Sequence, residues 1–161
     1  ALADANDNVR SAAAWALAQI GPKGAAAVPA LAKALSDSSP RVRHLAAIAL
    51  KAIGSQAAPA IPELVRALND QSEYVRARSA DALGALGPSA RAAVRPLAER
   101  ILAKDERGLV LGSVATALGN IGPGAKDALP ALERVVKMRR VGASAQEAIL
   151  KIEGKPVPTL W

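Results

Sequence analysis

The chain has 161 residues and about 16.4 kDa, with 39 alanines, no Phe and no Cys, and aromatics make up 2%. Sandwiches and barrels place β-branched and aromatic residues on pleated faces, so this composition argues against an all-β fold. Without Cys no disulfide framework or thiolate site can form, and the single His44 cannot build a multi-histidine metal cluster. The charge balance is basic, 21 Lys+Arg against 14 Asp+Glu, net +7.

At the N-terminus no apolar run is long enough to span a bilayer. Asp4, Asp7 and Arg10 sit where a secretory signal would carry its basic and apolar regions. The first residue is Ala, so the compartment stays open, with the cytoplasm slightly favoured. Leu2 precedes Val9 as Leu35 precedes Val42 and Leu68 precedes Val75. Ala1-Leu2 therefore reads as the end of a second helix whose start is missing, and the chain is expected to be a fragment of a longer array or a processed product.

Internal repetition dominates the rest. NVRSAAAWALAQIGP (8–22), RVRHLAAIALKAIG (41–54), YVRARSADALGALGP (74–88) and LVLGSVATALGNIGP (109–123) are copies of one motif, with a weaker copy, VGASAQEAILKIEG, at 141–154. The anchoring Val recurs at 9, 42, 75, 110 and 141, a spacing near 33 residues. A second motif follows each glycine: AAVPALAKAL (26–35), PAIPELVRAL (59–68), AAVRPLAERIL (92–102) and DALPALERVV (127–136). Val42, Ala46, Ala49, Leu50 and Ile53 fall on one helical stripe, and Ile61, Leu64, Val65 and Leu68 on another. Gly54 suits a helix end, and Pro62 suits a helix start, where a missing N–H costs little. Asp37 with Ser38 and Ser39, and Asp70 with Ser72, are candidate caps for the next helix. Abundant Ala on the stripes lets helices approach closely, and stacked neighbours supply the core that no single hairpin can.

The expected fold is thus an all-α solenoid of helical hairpins over 1–154. Its units are about 3–35, 36–68, 69–102 and 103–136, with a half unit at 137–154 and an extended tail at 155–161. Prolines in the tail exclude helix, and Leu160 and Trp161 are placed to cap the last core. The Val-Arg pairs (Val9-Arg10, Val42-Arg43, Val75-Arg76), the Ala-Leu pairs (Ala16-Leu17, Ala49-Leu50, Ala82-Leu83, Ala117-Leu118) and the Ile/Leu-Gly-Pro turns resemble HEAT-like repeats of the short phycobilisome-lyase type.

Residues suited to chemistry are few. His44 lies off the core stripe and reads as a solvated surface residue. Gly-Pro-Lys-Gly (21–24) and Gly-Pro-Gly (122–124) follow helices and lack the Lys-Ser/Thr of a phosphate loop, so they read as interhelical turns. Asp37, Asp70 and Asp105 recur at loop positions, as caps or ladder partners rather than acid–base pairs. The expectation is a chain that is not an enzyme and needs no cofactor or metal.

Three residue sets carry the functional reading. Asp4, Asp37 and Asp70 stand six residues before Arg10, Arg43 and Arg76; the family resemblance implies a structural ladder across repeats. The resemblance also places second helices on the concave side. There Lys33, Arg66, Arg95, Arg100 and Arg134 form a candidate basic groove, interrupted by Glu63, Glu99, Asp127 and Glu133. Such a groove attracts an acidic protein or peptide, or a nucleic-acid backbone, although no aromatics stand there to stack on bases. Trp15, Leu45 and Ile48 form a candidate apolar contact patch, facing either a partner or a missing N-terminal repeat. The most economical function is a non-enzymatic scaffold for an unidentified protein or peptide of acidic character. The alternatives are a duplex-backbone binder and, from the resemblance alone, a subunit of a bilin-attaching lyase.

Overall fold

The computed structural model describes residues 1–104, 106–138 and 140–158. Among them the chain forms nine α-helices and no strands. Four long first helices, α1 (Asp7–Ile20), α3 (Pro40–Ile53), α5 (Glu73–Ala85) and α7 (Gly108–Ile121), alternate with short second helices, α2 (Val28–Ala34), α4 (Ile61–Ala67), α6 (Val94–Leu102) and α8 (Leu129–Val135); α9 (Gly142–Glu153) closes the series. The result is the solenoid of helical hairpins that the repeat pattern predicts.

The turn inside each hairpin is more ordered than the sequence suggests. A seven-residue 3₁₀ segment joins the two helices in every unit: Gly21–Ala27, Gly54–Ala60, Gly87–Ala93 and Gly122–Ala128. Gly54 begins its turn at φ 72°, a conformation that side chains resist. A proline then sits in the first turn of α2, α4 and α8, and the tight i→i+3 bonds of the 3₁₀ segment suit the small residues in between. Pro40–Ala67 has the length and apolar composition of a membrane span, but Gly54 divides it into two helices of a hairpin.

First helices pack directly on first helices, α1 on α3, α3 on α5, α5 on α7 and α7 on α9, and each second helix packs on the next unit's first helix. Counted from the anchoring Val, positions 0, 4, 7 and 11 of each first helix face the preceding unit, and positions 2, 5 and 9 face the following one. Gly84, at position 9, touches Ala117, at position 7 of the next unit; Gly119 touches Ala148 in the same way. Val42, Val75 and Val110 are fully covered, whereas Val9 is 40% exposed and Ile20 49% exposed. The core is aliphatic: Leu31, Leu50, Leu64, Leu83, Leu97 and Leu118 are among its largest buried side chains. Residues 155–158 carry no regular structure. Leu160 and Trp161 lie outside the described residues.

Candidate binding surface

The loops entering the first helices carry a ladder of ion pairs. Arg10 donates from Nε and Nη2 to Asp37 at 2.7 and 2.8 Å. Arg43 does the same to Asp70 at 2.6 and 2.9 Å. Each arginine therefore meets the aspartate of the following unit. Its remaining Nη1 bonds main-chain carbonyls of its own loop, Asp4 and Ala5 for Arg10, Asp37 and Ser38 for Arg43. The aspartates also hold the loop, since Asp37 accepts the Ser39 N–H and Asp70 the Ser72 N–H. Ser39 and Ser72 occupy the cap positions without a side-chain cap bond. The bidentate Arg10 contact holds the Asp37 carboxyl below its ordinary value, against some opposing desolvation.

The third rung changes chemistry. Arg76 donates to both oxygens of Glu106, at 2.9 and 2.8 Å. The junction to the fourth unit is two residues longer. Arg100 also contacts Glu106, at 3.0 Å, and donates to Asn69 at 3.2 Å. The Glu106 side chain is fully covered between the two guanidiniums. This corrects the groove reading of Arg100: the side chain turns into the junction, where the buried carboxylate draws it. Glu106 is the ladder residue that the spacing does not reveal. Asp105 lies outside the described residues.

The other four groove residues stay on the second-helix surface. Lys33 and Arg134 are exposed. Arg66 pairs with Glu63 at 2.6 Å and Arg95 with Glu99 at 3.0 Å, both as exposed pairs within one helix, which hold little energy against solvent.

Two of these side chains line concavities that repeat. One, of about 400 Å³, is bounded by Leu2, Asp4, Arg10, Lys33, Ala34 and Asp37, among others. Another, of about 380 Å³, is bounded by Leu35, Asp37, Arg43, Arg66, Ala67 and Asp70. These walls are the same positions one repeat apart. In each, the ladder arginine is occupied by its aspartate, and the outward charge comes from Lys33 or Arg66. A further concavity of about 440 Å³ joins Lys33, Glu63 and Arg66.

The apolar set divides. Trp15, 51% exposed, and Leu45 line a cavity of about 440 Å³ with Ser11, Arg41 and His44. Ile48 is half-buried and is not part of its wall. His44 departs from the surface reading. It occupies position 2, facing the following unit, with its ring edge-on to Tyr74 at 6.3 Å. Desolvation lowers its pKa, outweighing the opposing Tyr74 backbone, and Arg78 lowers it further.

Comparison with known proteins agrees with this architecture. The family model for HEAT repeats matches residues 1–84 and 61–150. The crystal structure of an engineered protein superposes with TM-score 0.77 at 25% identity, covering 95% of this chain and 76% of that one. A designed armadillo repeat protein in complex with the peptide (KR)4 gives TM-score 0.77 at 25% identity, with 94% and 78% covered. The complex of CpcE and CpcF of phycocyanin lyase from Nostoc sp. PCC7120 gives TM-score 0.75 at 28% identity, with 96% and 63% covered. Comparison with curated proteins returns no match.

Proposed function

The chain belongs to the HEAT-repeat family, and from that premise we propose that it acts by binding rather than catalysis, as a scaffold for an extended protein or peptide segment of acidic character. The observation that carries this reading is the repeated concavity, with Lys33 in one unit and Arg66 at the same place in the next. The Arg10–Asp37 and Arg43–Asp70 pairs satisfy each other, which leaves Lys33 exposed and Arg66 exposed beside Glu63. An extended partner laid along the second helices meets these two pockets one repeat apart, and its carboxylates meet Lys33, Arg66 and, further on, Arg134. Arg66 and Arg95 are each offset within their own helix, by Glu63 and by Glu99, and contribute less than Lys33. Rigid display keeps the ordering cost of binding on the partner's side.

The test is fluorescence anisotropy with two probes, a labelled oligoglutamate peptide and a labelled DNA duplex, at low and moderate salt. The peptide is expected to bind, and Lys33→Glu, Arg66→Glu and Arg134→Glu together are expected to weaken it at least tenfold, with helicity unchanged. Unchanged affinity in that variant refutes the groove. Duplex binding that falls by about two decades or more between roughly 50 and 200 mM salt marks multiple phosphate contacts and replaces the reading with nucleic-acid binding.

The likeness to a phycocyanin-lyase complex favours a second reading, a subunit that works with another chain in bilin attachment. Co-expression with a bilin and its acceptor protein tests it: a visible absorbance band on the acceptor supports the reading, and a colourless acceptor refutes it.

A further inference from the structure

The first helix is built for a neighbour. Val9, Ala13, Ala16 and Ile20 of α1 stand where Val42, Ala46, Ala49 and Ile53 of α3 stand, facing the preceding unit. In α3 these four side chains are covered; in α1 Val9 and Ile20 are close to half exposed and Ala16 is open. At the other end α9 presents Ala143, Gln146 and Leu150 at positions 2, 5 and 9, a face with a polar centre. The two ends of the array are therefore unlike.

The ladder makes the same statement with charge. Asp4 repeats the loop geometry of Asp37 and Asp70. Its N–H donates to the Ala1 carbonyl at 3.1 Å, as that of Asp37 does to Ala34 and that of Asp70 to Ala67. Its carboxylate accepts the Asn6 N–H at 2.9 Å, as theirs accept Ser39 and Ser72. Asp37 and Asp70 each also receive a guanidinium from the unit before. Among the described residues the Asp4 carboxylate receives none. It is an acceptor set in place beside an uncovered apolar stripe.

We propose that the α1 face is a docking surface for one further helical repeat of the same type, stacked ahead of α1. Small side chains of its first helix lie on Val9, Ala13, Ala16 and Ile20, and its arginine closes on Asp4. A second copy of this chain stacked end to end fits poorly. The residue of α9 that corresponds to Arg10 is Gly142, so Asp4 stays unanswered, and Gln146 meets the apolar stripe.

The test adds such a neighbour. A duplicate of residues 36–66 fused ahead of Ala1 keeps the repeat register, because Ala1-Leu2 then occupies the place of Ala67-Leu68. The duplicated Arg43 falls where it can reach Asp4. The extended chain is expected to gain helical ellipticity in proportion to the added residues and to unfold at a higher Tm than the original. Arg43→Leu in the duplicate and Asp4→Asn are each expected to lower that Tm, and the double variant no further than either alone. Added residues that stay protease-labile, or two substitutions with independent effects, overturn the proposal. Sedimentation of the original chain is the second arm: a dimer that Val9→Glu and Ile20→Glu abolish assigns the face to a second copy and overturns it equally.

Discussion

Gly84 of α5 lies so close to α7 that a Cβ on it would come within 2.9 Å of the Ala117 Cα. Backbone cannot move aside as a flexible side chain can. Gly84→Ala is therefore expected to destabilise the chain by about 1–3 kcal/mol through overpacking, although alanine is the better helix former. Gly112, inside α7, has open space where its Cβ would be. There the propensity term acts alone, and Gly112→Ala is expected to gain up to about 1 kcal/mol. Urea denaturation of the two variants separates the effects by sign.

The Glu106 junction gives the largest predicted loss. Removing its carboxylate takes a fully covered acceptor from Arg76 and from Arg100. Glu106→Ala is expected to cost up to about 3–5 kcal/mol, the range for breaking a buried ion pair. Chemical denaturation checks it. Glu106→Gln keeps the shape and one acceptor oxygen, while its amide NH2 is a donor set against arginine donors, and an intermediate loss is expected.

Acid sensitivity follows from Asp37. Its folded-state pKa lies below the ordinary value of 3.8 because Arg10 favours the carboxylate. The stabilisation is complete above that ordinary value and is lost as pH falls through the folded value. Asp37→Asn is expected to flatten the acid limb of Tm against pH and to lower Tm at neutral pH.

His44 acts at milder pH. Desolvation holds its folded pKa below the ordinary 6.5, so the unfolded chain takes up the proton first. Stability is full above about 6.5 and declines as pH drops below it. His44→Gln is expected to remove this slope between neutral pH and pH 5. A slope unchanged in the variant would assign it to another group.

The hairpins, their order and the family were legible because two periods coincide in the sequence, the helical stripe and the repeat of about 33 residues. Faces of a helix were less legible. The stripe through Val42, Ala46, Ala49 and Ile53 is strongly apolar and marks contact with the preceding unit. Contact with the following unit uses small residues such as Ala14, Ala80 and Gly84, which look the same in a buried and an exposed row. His44 sits in that second row and so reads as a surface residue. The candidate site shows the same limit. Periodic Asp and Arg announce a ladder, but only the folded spacing shows that Arg10 meets Asp37. In the longer loop Arg76 bonds Glu106, one residue past the position that corresponds to Asp70, and Arg100 contacts the same carboxylate. The repeated concavities arise between units, so no single motif contains one.

Among the described residues each ladder arginine ties its own unit to the next one. An interior unit is thus tied on both sides, while α1 is tied on one. Opening the chain at its N-terminal end breaks the Arg10–Asp37 rung and a single helix interface, whereas opening it at α3 breaks two rungs and two interfaces. Amide exchange should therefore be graded along the chain, fastest in α1 and slower inward, so that the molecule loosens unit by unit from that edge and its middle hairpins stay folded longest.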